Sequence, residues 1–299
     1  MYDGPVIDPH HHLWDLRMGK HPWLIPADNK GSPLGGIDKL RRNYLVEDYL
    51  KDAAGHNVVG TVHIEALWKY GDALGETRWL DSLDKSQGIA ARYVAAAPLG
   101  TASAAEVIAK QAEFKRVVGI RGILSCHPDP KKCFVQRSDI AYDKDWRRDV
   151  GLIGEAGLHL ELMMYPYQGQ AVFDLAQAFP KLQIIVNHCA SPIDRDKQGL
   201  QRWRDALKLI ASRPNIALKI SNPGAYDPQW TPESVKMVVD QCLNAFGVER
   251  AMFGTDFPVA DLQMSFSEIY ENFKAASARL GAKAQHALFH DNAKRFYRM

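Results

Sequence analysis

Short apolar runs recur along the whole chain, and segments with helical spacing lie between them. Eight runs stand out: Val6–His12, Gly60–Ala66, Tyr93–Leu99, Val117–Leu124, Leu158–Tyr165, Gln183–Cys189, Asn215–Ser221 and Ala251–Phe257. Their length and β-branched content suit strands buried on both faces of a parallel sheet. The spacing between them predicts helices over Val46–Asn57, Ala73–Gln87, Ser103–Lys115, Asp145–Ala156, Gln170–Phe179, Leu200–Ser212 and Pro232–Phe246. Two more, Ser265–Leu280 and Ala284–Tyr297, follow the last strand. Ser103 with Glu106 and Ser265 with Glu268 read as capping boxes. Thr231 reads as an N-cap before Pro232, and Gly157 as a helix stop.

Eight strand–helix repeats predict an α/β fold, a (β/α)₈ TIM barrel spanning residues 1–299 as a single domain. An open, doubly wound sheet is the alternative. No Gly-x-Gly-x-x-Gly turn follows any strand, so a dinucleotide fold has no support. Two connections are too long for plain turns: Leu13–Leu45, with His21-Pro22-Trp23-Leu24-Ile25-Pro26, and Ser125–Lys144, with Pro128-Asp129-Pro130. Both follow strands, which places them on the C-terminal face where barrel enzymes carry their sites. Long loops of this kind often serve as lids.

Composition narrows the function classes. The chain is 46% hydrophobic and 24% charged, with a formal charge of +2 and no long single-sign block. Nothing here favours nucleic acid or a membrane surface as partner. Cys126, Cys133, Cys189 and Cys242 lack metal-finger spacing and read as reduced thiols of a cytoplasmic protein. No apolar run is long enough to span a bilayer, and Met-Tyr-Asp-Gly-Pro has no secretory character. The expected partner is a small molecule, taken up by a monomer or a homo-oligomer.

The chemistry concentrates in Ile7-Asp8-Pro9-His10-His11-His12-Leu13-Trp14. Strand alternation puts Asp8, His10 and His12 on one face and His11 on the other. Two imidazoles two residues apart at a strand end can reach one metal ion. His188 ends the sixth run and Asp256 the eighth. In a closed barrel the eighth strand lies beside the first, which brings Asp256 to His10 and His12. The set His10, His12, His188, Asp256 offers three nitrogens and an oxygen, suited to zinc or a similar borderline metal.

Further candidates lie at other strand ends. His63 and Glu65 share a face of the second strand; they either face the barrel mouth or form a structural polar pair. Arg121 either clamps a substrate carboxylate or hydroxyls or pairs internally with Glu161 or Glu65. Lys219 reads as a structural lysine bonded to nearby acids. Trp14, Trp23, Trp68, Tyr165, Tyr167 and Trp230 follow strands and suit stacking on a ring. Trp79, Trp146 and Trp203, on helices, read as packing.

Several motifs together carry a resemblance: Ile7–Trp14, Val62-His63-Ile64-Glu65-Ala66, Gly75-Glu76-Thr77-Arg78-Trp79-Leu80, Gly119-Ile120-Arg121-Gly122-Ile123, Asn187-His188-Cys189-Ala190, Asp194-Arg195-Asp196, Ala217–Ser221, Gly254-Thr255-Asp256-Phe257-Pro258-Val259 and Asn292–Tyr297. Over nearly its whole length the chain resembles the amidohydrolase superfamily, within it the amidohydrolase-related group of sugar-lactone and 2-pyrone-4,6-dicarboxylate lactonases. The resemblance implies a hydrolase opening a sugar-acid lactone or a lactone from aromatic breakdown. The chain departs from the fuller superfamily pattern, since Arg121 stands where a lysine would end the fourth strand and His159 begins the fifth strand instead of ending it. That argues against a bridged binuclear centre and for one divalent metal, zinc, or none.

Lactone hydrolysis needs a polarised carbonyl and a deprotonated water. Asp256 is the expected general base. A metal at His10 and His12 would polarise the carbonyl; without one, His188 or His63 would donate to the oxyanion. Trp14, Arg121, Tyr165 and Trp68 are the expected substrate contacts. A metal-dependent decarboxylase on the same barrel, or a binding barrel without turnover, are the alternatives.

Overall fold

The structure is a computed structural model that describes residues 2–25 and 35–299. Residues 26–34 of the long first connection, including Pro26, lie outside the described residues, so its reading as a lid stays an expectation. Eight parallel strands appear where the apolar runs predicted them: β1 Val6–His11, β2 Val58–Ile64, β3 Arg92–Ala96, β4 Val117–Ile123, β5 His159–Met163, β6 Ile184–Val186, β7 Ile216–Ser221 and β8 Ala251–Gly254. They pair in sequence order, and the α/β barrel is the expected TIM type. Around it run α1 Val46–Asp52, α2 Ala73–Ser82, α3 Ala104–Ala112, α4 Lys144–Glu155, α5 Gly169–Ala178, α6 Lys197–Ala211, α7 Pro232–Phe246 and α8 Phe266–Ser277. The predicted last helix is divided into α9 Ala282–His286, a π-turn over Ala287–Asp291, and α10 Asn292–Phe296. Among the described residues no helix is long and apolar enough to cross a membrane.

Local signals account for most helix ends. Ser265 accepts from the Glu268 N–H while Glu268 accepts from the Ser265 N–H, a true capping box. Gly157 follows α4 with φ +71°, a conformation that favours glycine. Ser103 is a correction. Its side chain caps nothing, because Glu106 turns instead to Lys110 one turn on, 2.5 Å away.

The barrel closes where the two ends of the sheet meet. The Asp256 N–H donates to His10 O and the His12 N–H to Phe257 O, both at 2.7 Å. Asp8 strengthens this seam by accepting from the Thr255 N–H at 3.0 Å and the Thr255 hydroxyl at 2.6 Å. The strict alternation expected for β1 fails here. Its pairing with β2 is irregular between Asp8 and His11. Both side chains meet Tyr49 of α1, Asp8 by a 2.8 Å hydrogen bond and His11 by ring contact at 4.8 Å. Asp8 therefore belongs with His11 outside the barrel, not with His10 and His12.

Inside the barrel, Ile7, Val62, Ile64, Val94, Val118, Ile185, Ala217 and Met252 form an apolar layer with Tyr297 packed against it. A polar layer involves the same tyrosine. Fully buried Lys219 pairs with fully buried Glu161 and donates to Pro9 O at 2.7 Å. Glu161 also accepts from Asn187 Nδ2 at 2.8 Å and from the Tyr297 hydroxyl at 2.9 Å. Lys219 is thus the structural lysine the sequence suggested. Burial pushes Glu161 up, but the Lys219 ammonium together with the His159 ring beside it outweighs burial and holds the carboxyl down at about 2.

A buried pair stripped of one member leaves an uncompensated charge. Lys219→Met should therefore lose about 3–5 kcal/mol of stability by urea unfolding, and Lys219→Met with Glu161→Leu should recover part of it. Because the Glu161 pKa is lowered on folding, its contribution is complete above the ordinary carboxylate range. It is lost as the pH falls toward 2, a loss the double variant should not show.

Candidate active site

Three strand ends deliver the site. His10 lies near the end of β1 and His12 just past it, His188 lies just past β6, and Asp256 just past β8. All four are buried. Asp256 Oδ1 lies 3.2 Å from His10 Nε2 and 3.0 Å from His12 Nε2, and Oδ2 lies 3.9 Å from His188 Nε2. The His10 ring sits 5.1 Å from that of His12 and 4.6 Å from that of His188. The structure brings together all four residues of the expected metal set.

The surroundings fix how these groups point. His12 Nδ1 donates to Ile64 O at 2.8 Å, so in the neutral ring Nε2 keeps its lone pair toward Asp256. His188 Nδ1 shares a 3.0 Å hydrogen bond with the Ser221 hydroxyl. Asn222 Nδ2 donates to Asp256 Oδ2 at 2.7 Å. The backbone here is strained: His188, Cys189, Ala190 and Ser191 all have φ between 49° and 58°, Asn222 has 44° and Asp256 has 66°. Trp203 of α6 pins the turn by donating to Cys189 O at 2.7 Å. Non-glycine residues rarely hold this conformation, and such strain gathers at functional sites.

Electrostatics separates the roles. Burial pushes Asp256 up, but the His188 and His12 imidazoles beside it and the Asn222 amide donor bring it below the usual carboxylate value. Burial drives His188 down to about 4 and His10 well below its ordinary value. At neutral pH an ionised carboxylate therefore faces the neutral His10 and His188 rings. Among the described residues, His10 Nε2 is buried without a hydrogen-bond partner. Donor atoms of His10, His188 and Asp256 all lie within 4.8 Å of one another, and the His12 lone pair points at the same carboxylate oxygen. An orphaned nitrogen among convergent N and O donors fits a divalent borderline cation.

Other expected site residues are placed differently. His63 is fully buried between the barrel and α2: its Nδ1 accepts from the Leu13 N–H and its Nε2 faces Glu76 Oε1, each at 3.2 Å. With both nitrogens engaged it is not free to donate to an oxyanion. Trp14 is fully buried, donates to Arg42 O at 2.7 Å, and packs edge-on to Trp23; it is loop packing rather than a stacking platform. Tyr165 is also fully buried, its hydroxyl donating to Lys132 O at 2.9 Å. Trp68 stacks on Trp79 and donates to Asp72 at 3.0 Å. Arg121 takes the internal pairing, with Glu65 as partner: Nε donates to Oε1 at 2.5 Å and Nη2 to Glu65 O at 2.8 Å.

Ser221, Asn222 and Glu76 escaped the sequence reading. Each is an ordinary polar residue whose role comes from the side chain it meets. Position could have flagged Ser221 and Asn222, since they end a strand on the face where the histidines end theirs. His21, to which the sequence assigns no role of its own, is buried against the edge of the Trp68 ring at 5.1 Å, and among the described residues neither of its nitrogens has a hydrogen-bond partner.

Comparison with known proteins agrees with this geometry. Residues 7–299 match the amidohydrolase family model Amidohydro_2. The chain is 34% identical to the uncharacterized protein y4mH of Sinorhizobium fredii over the full length of both. It is 27% identical to an L-fucono-1,5-lactonase of Burkholderia multivorans, covering 97% of this chain and 95% of that one. A Burkholderia multivorans amidohydrolase crystallised with bound zinc superposes with a TM-score of 0.81 at 24% identity, covering 99% of this chain and all of the other. With a family model matched over almost all of its length and the family's barrel in its structure, this chain belongs to the amidohydrolase family.

Proposed function

We propose that this amidohydrolase opens a small lactone by water attack, with Asp256 as general base. The observation that carries the reading is Asp256 itself. It is a buried carboxylate, ionised at neutral pH, with one oxygen facing the His10 and His12 imidazoles and the other held by Asn222. The likeness to an L-fucono-1,5-lactonase supports a lactone as substrate.

The residues divide the work as follows. Asn222 donates to the carboxylate, so that its proton affinity stays low and its direction fixed. Asp256 takes the proton from water as the oxygen adds to the lactone carbonyl, and returns it to the ring oxygen as the C–O bond breaks. Without a metal, His188, oriented by Ser221 on the far side of the carboxylate, can donate to the developing oxyanion. His10, His12, His188 and Asp256 would hold one divalent ion, zinc, which when bound supplies Lewis-acid polarisation and lowers the pKa of water. The substrate is a sugar-acid lactone or one from aromatic breakdown.

Asp256→Asn should lower turnover by about a hundred- to ten-thousand-fold while cooperative unfolding persists. Hydrolysis by that variant at the wild-type rate would remove the assignment, and released carbon dioxide in place of a ring-opened hydroxy acid would point to decarboxylation. Since the base acts ionised and its pKa is lowered, kcat/KM should stay level through neutral pH and fall only in acid. Asn222→Ala removes a donor to the carboxylate and should move that acid limb to higher pH. Elemental analysis should find one zinc at this site, lost in His10→Asn.

A further inference from the structure

A second cluster of metal-ligating side chains lies at the opposite end of the barrel, where the π-turn interrupts the last helix. His286, His290 and Asp291 present donor atoms within 4.8 Å of one another. Asp291 Oδ1 is 2.8 Å from His290 Nδ1 and 3.3 Å from His286 Nε2, and the two imidazoles lie 5.1 Å apart. The wider winding of a π-turn brings the residues four and five positions on close to the first, which an ideal α-helix does for only one of them. π-Turns recur at functional sites.

The tautomer is set from outside the cluster. The Tyr2 hydroxyl donates to Pro5 O at 2.7 Å, so toward His286 Nδ1, 3.1 Å away, its oxygen accepts. His286 therefore carries its hydrogen on Nδ1. The neutral ring turns an Nε2 lone pair toward a carboxylate oxygen, an arrangement that needs a cation between them or a second proton on the ring. A ligating histidine whose other nitrogen donates to a fixed oxygen is how proteins orient metal ligands. His290 Nδ1 lies 2.8 Å from the same Asp291 oxygen, and a cation bound there would take the place of the hydrogen between them.

We propose that His286 Nε2, His290 Nδ1 and Asp291 Oδ1 form a binding site for a divalent transition-metal ion of the zinc class, separate from the catalytic cluster. Water would complete the coordination, since Asp291 and His286 are partly exposed. The ion would tie Tyr2, ahead of β1, to the segment that carries Tyr297, and so brace the end of the barrel below the Lys219–Glu161 layer.

Zinc titration of the full chain by calorimetry at pH 7.5, with elemental analysis after dialysis, tests this independently of any lactonase activity. The wild type should bind one more equivalent than His286→Ala or His290→Ala, with a dissociation constant in the micromolar range and a rise in Tm on zinc addition that these variants lack. Tyr2→Phe should weaken that equivalent by about tenfold or more through loss of the acceptor for Nδ1–H. Equal zinc content and equal Tm response in wild type and histidine variants would overturn the site. So would binding only at millimolar zinc.

Discussion

Thr255 gives both its backbone N–H and its hydroxyl to Asp8, and at that seam the first and last strands meet. Asp8 is fully buried, and burial pushes its carboxyl up. Its oxygens are nonetheless saturated, because the Tyr49 hydroxyl and the His10 N–H complete the set. A carboxylate with its acceptor capacity filled by donors from three segments fixes those segments in one register. Asp256 is the next residue after Thr255, and His10 lies two after Asp8. The distances within the cluster of His10, His12, His188 and Asp256 depend on this seam, which the one buried acid ties together.

A second constraint acts where the strands end. His188, Asn222 and Asp256 all sit in the left-handed region, and the turn through Ser191 stays there for four successive non-glycine residues. Each such residue costs of order 1 kcal/mol. The turn persists because its backbone is bonded within itself, Ser191 N to His188 O at 2.7 Å, and because Trp203 caps Cys189 O. Folding energy stored in the barrel is used here to aim side chains that an unstrained strand end would direct elsewhere.

Charge is distributed to the same purpose. Cations near the barrel mouth and axis are matched at short range, Arg121 by Glu65 and Lys219 by Glu161. Among the described residues Asp256 has no such cation against it; its contacts are imidazoles and an amide. A carboxylate kept ionised by neutral donors and a nearby imidazole remains able to accept a proton, whereas one locked to an arginine or lysine has its proton affinity depressed much further.

The chain's own residue pattern determined the barrel. Eight apolar runs of strand length, separated by helical spacing, leave few other ways to bury both faces of a sheet, and closure then places His10, His12, His188 and Asp256 at one end. Those four were legible because chemistry restricts which residue types can serve and strand ends restrict where. The positions of His63, Trp14, Tyr165 and Arg121 were not legible, because membership of a strand or loop does not say whether a side chain meets the cavity, a helix or another loop. Asp8 shows why: one irregularity in β1 turned it from the site to the seam. Only the tertiary structure decided those pairings, since each depends on which polar group from a distant segment arrives within hydrogen-bond reach, and one sequence read alone carries no distance between segments.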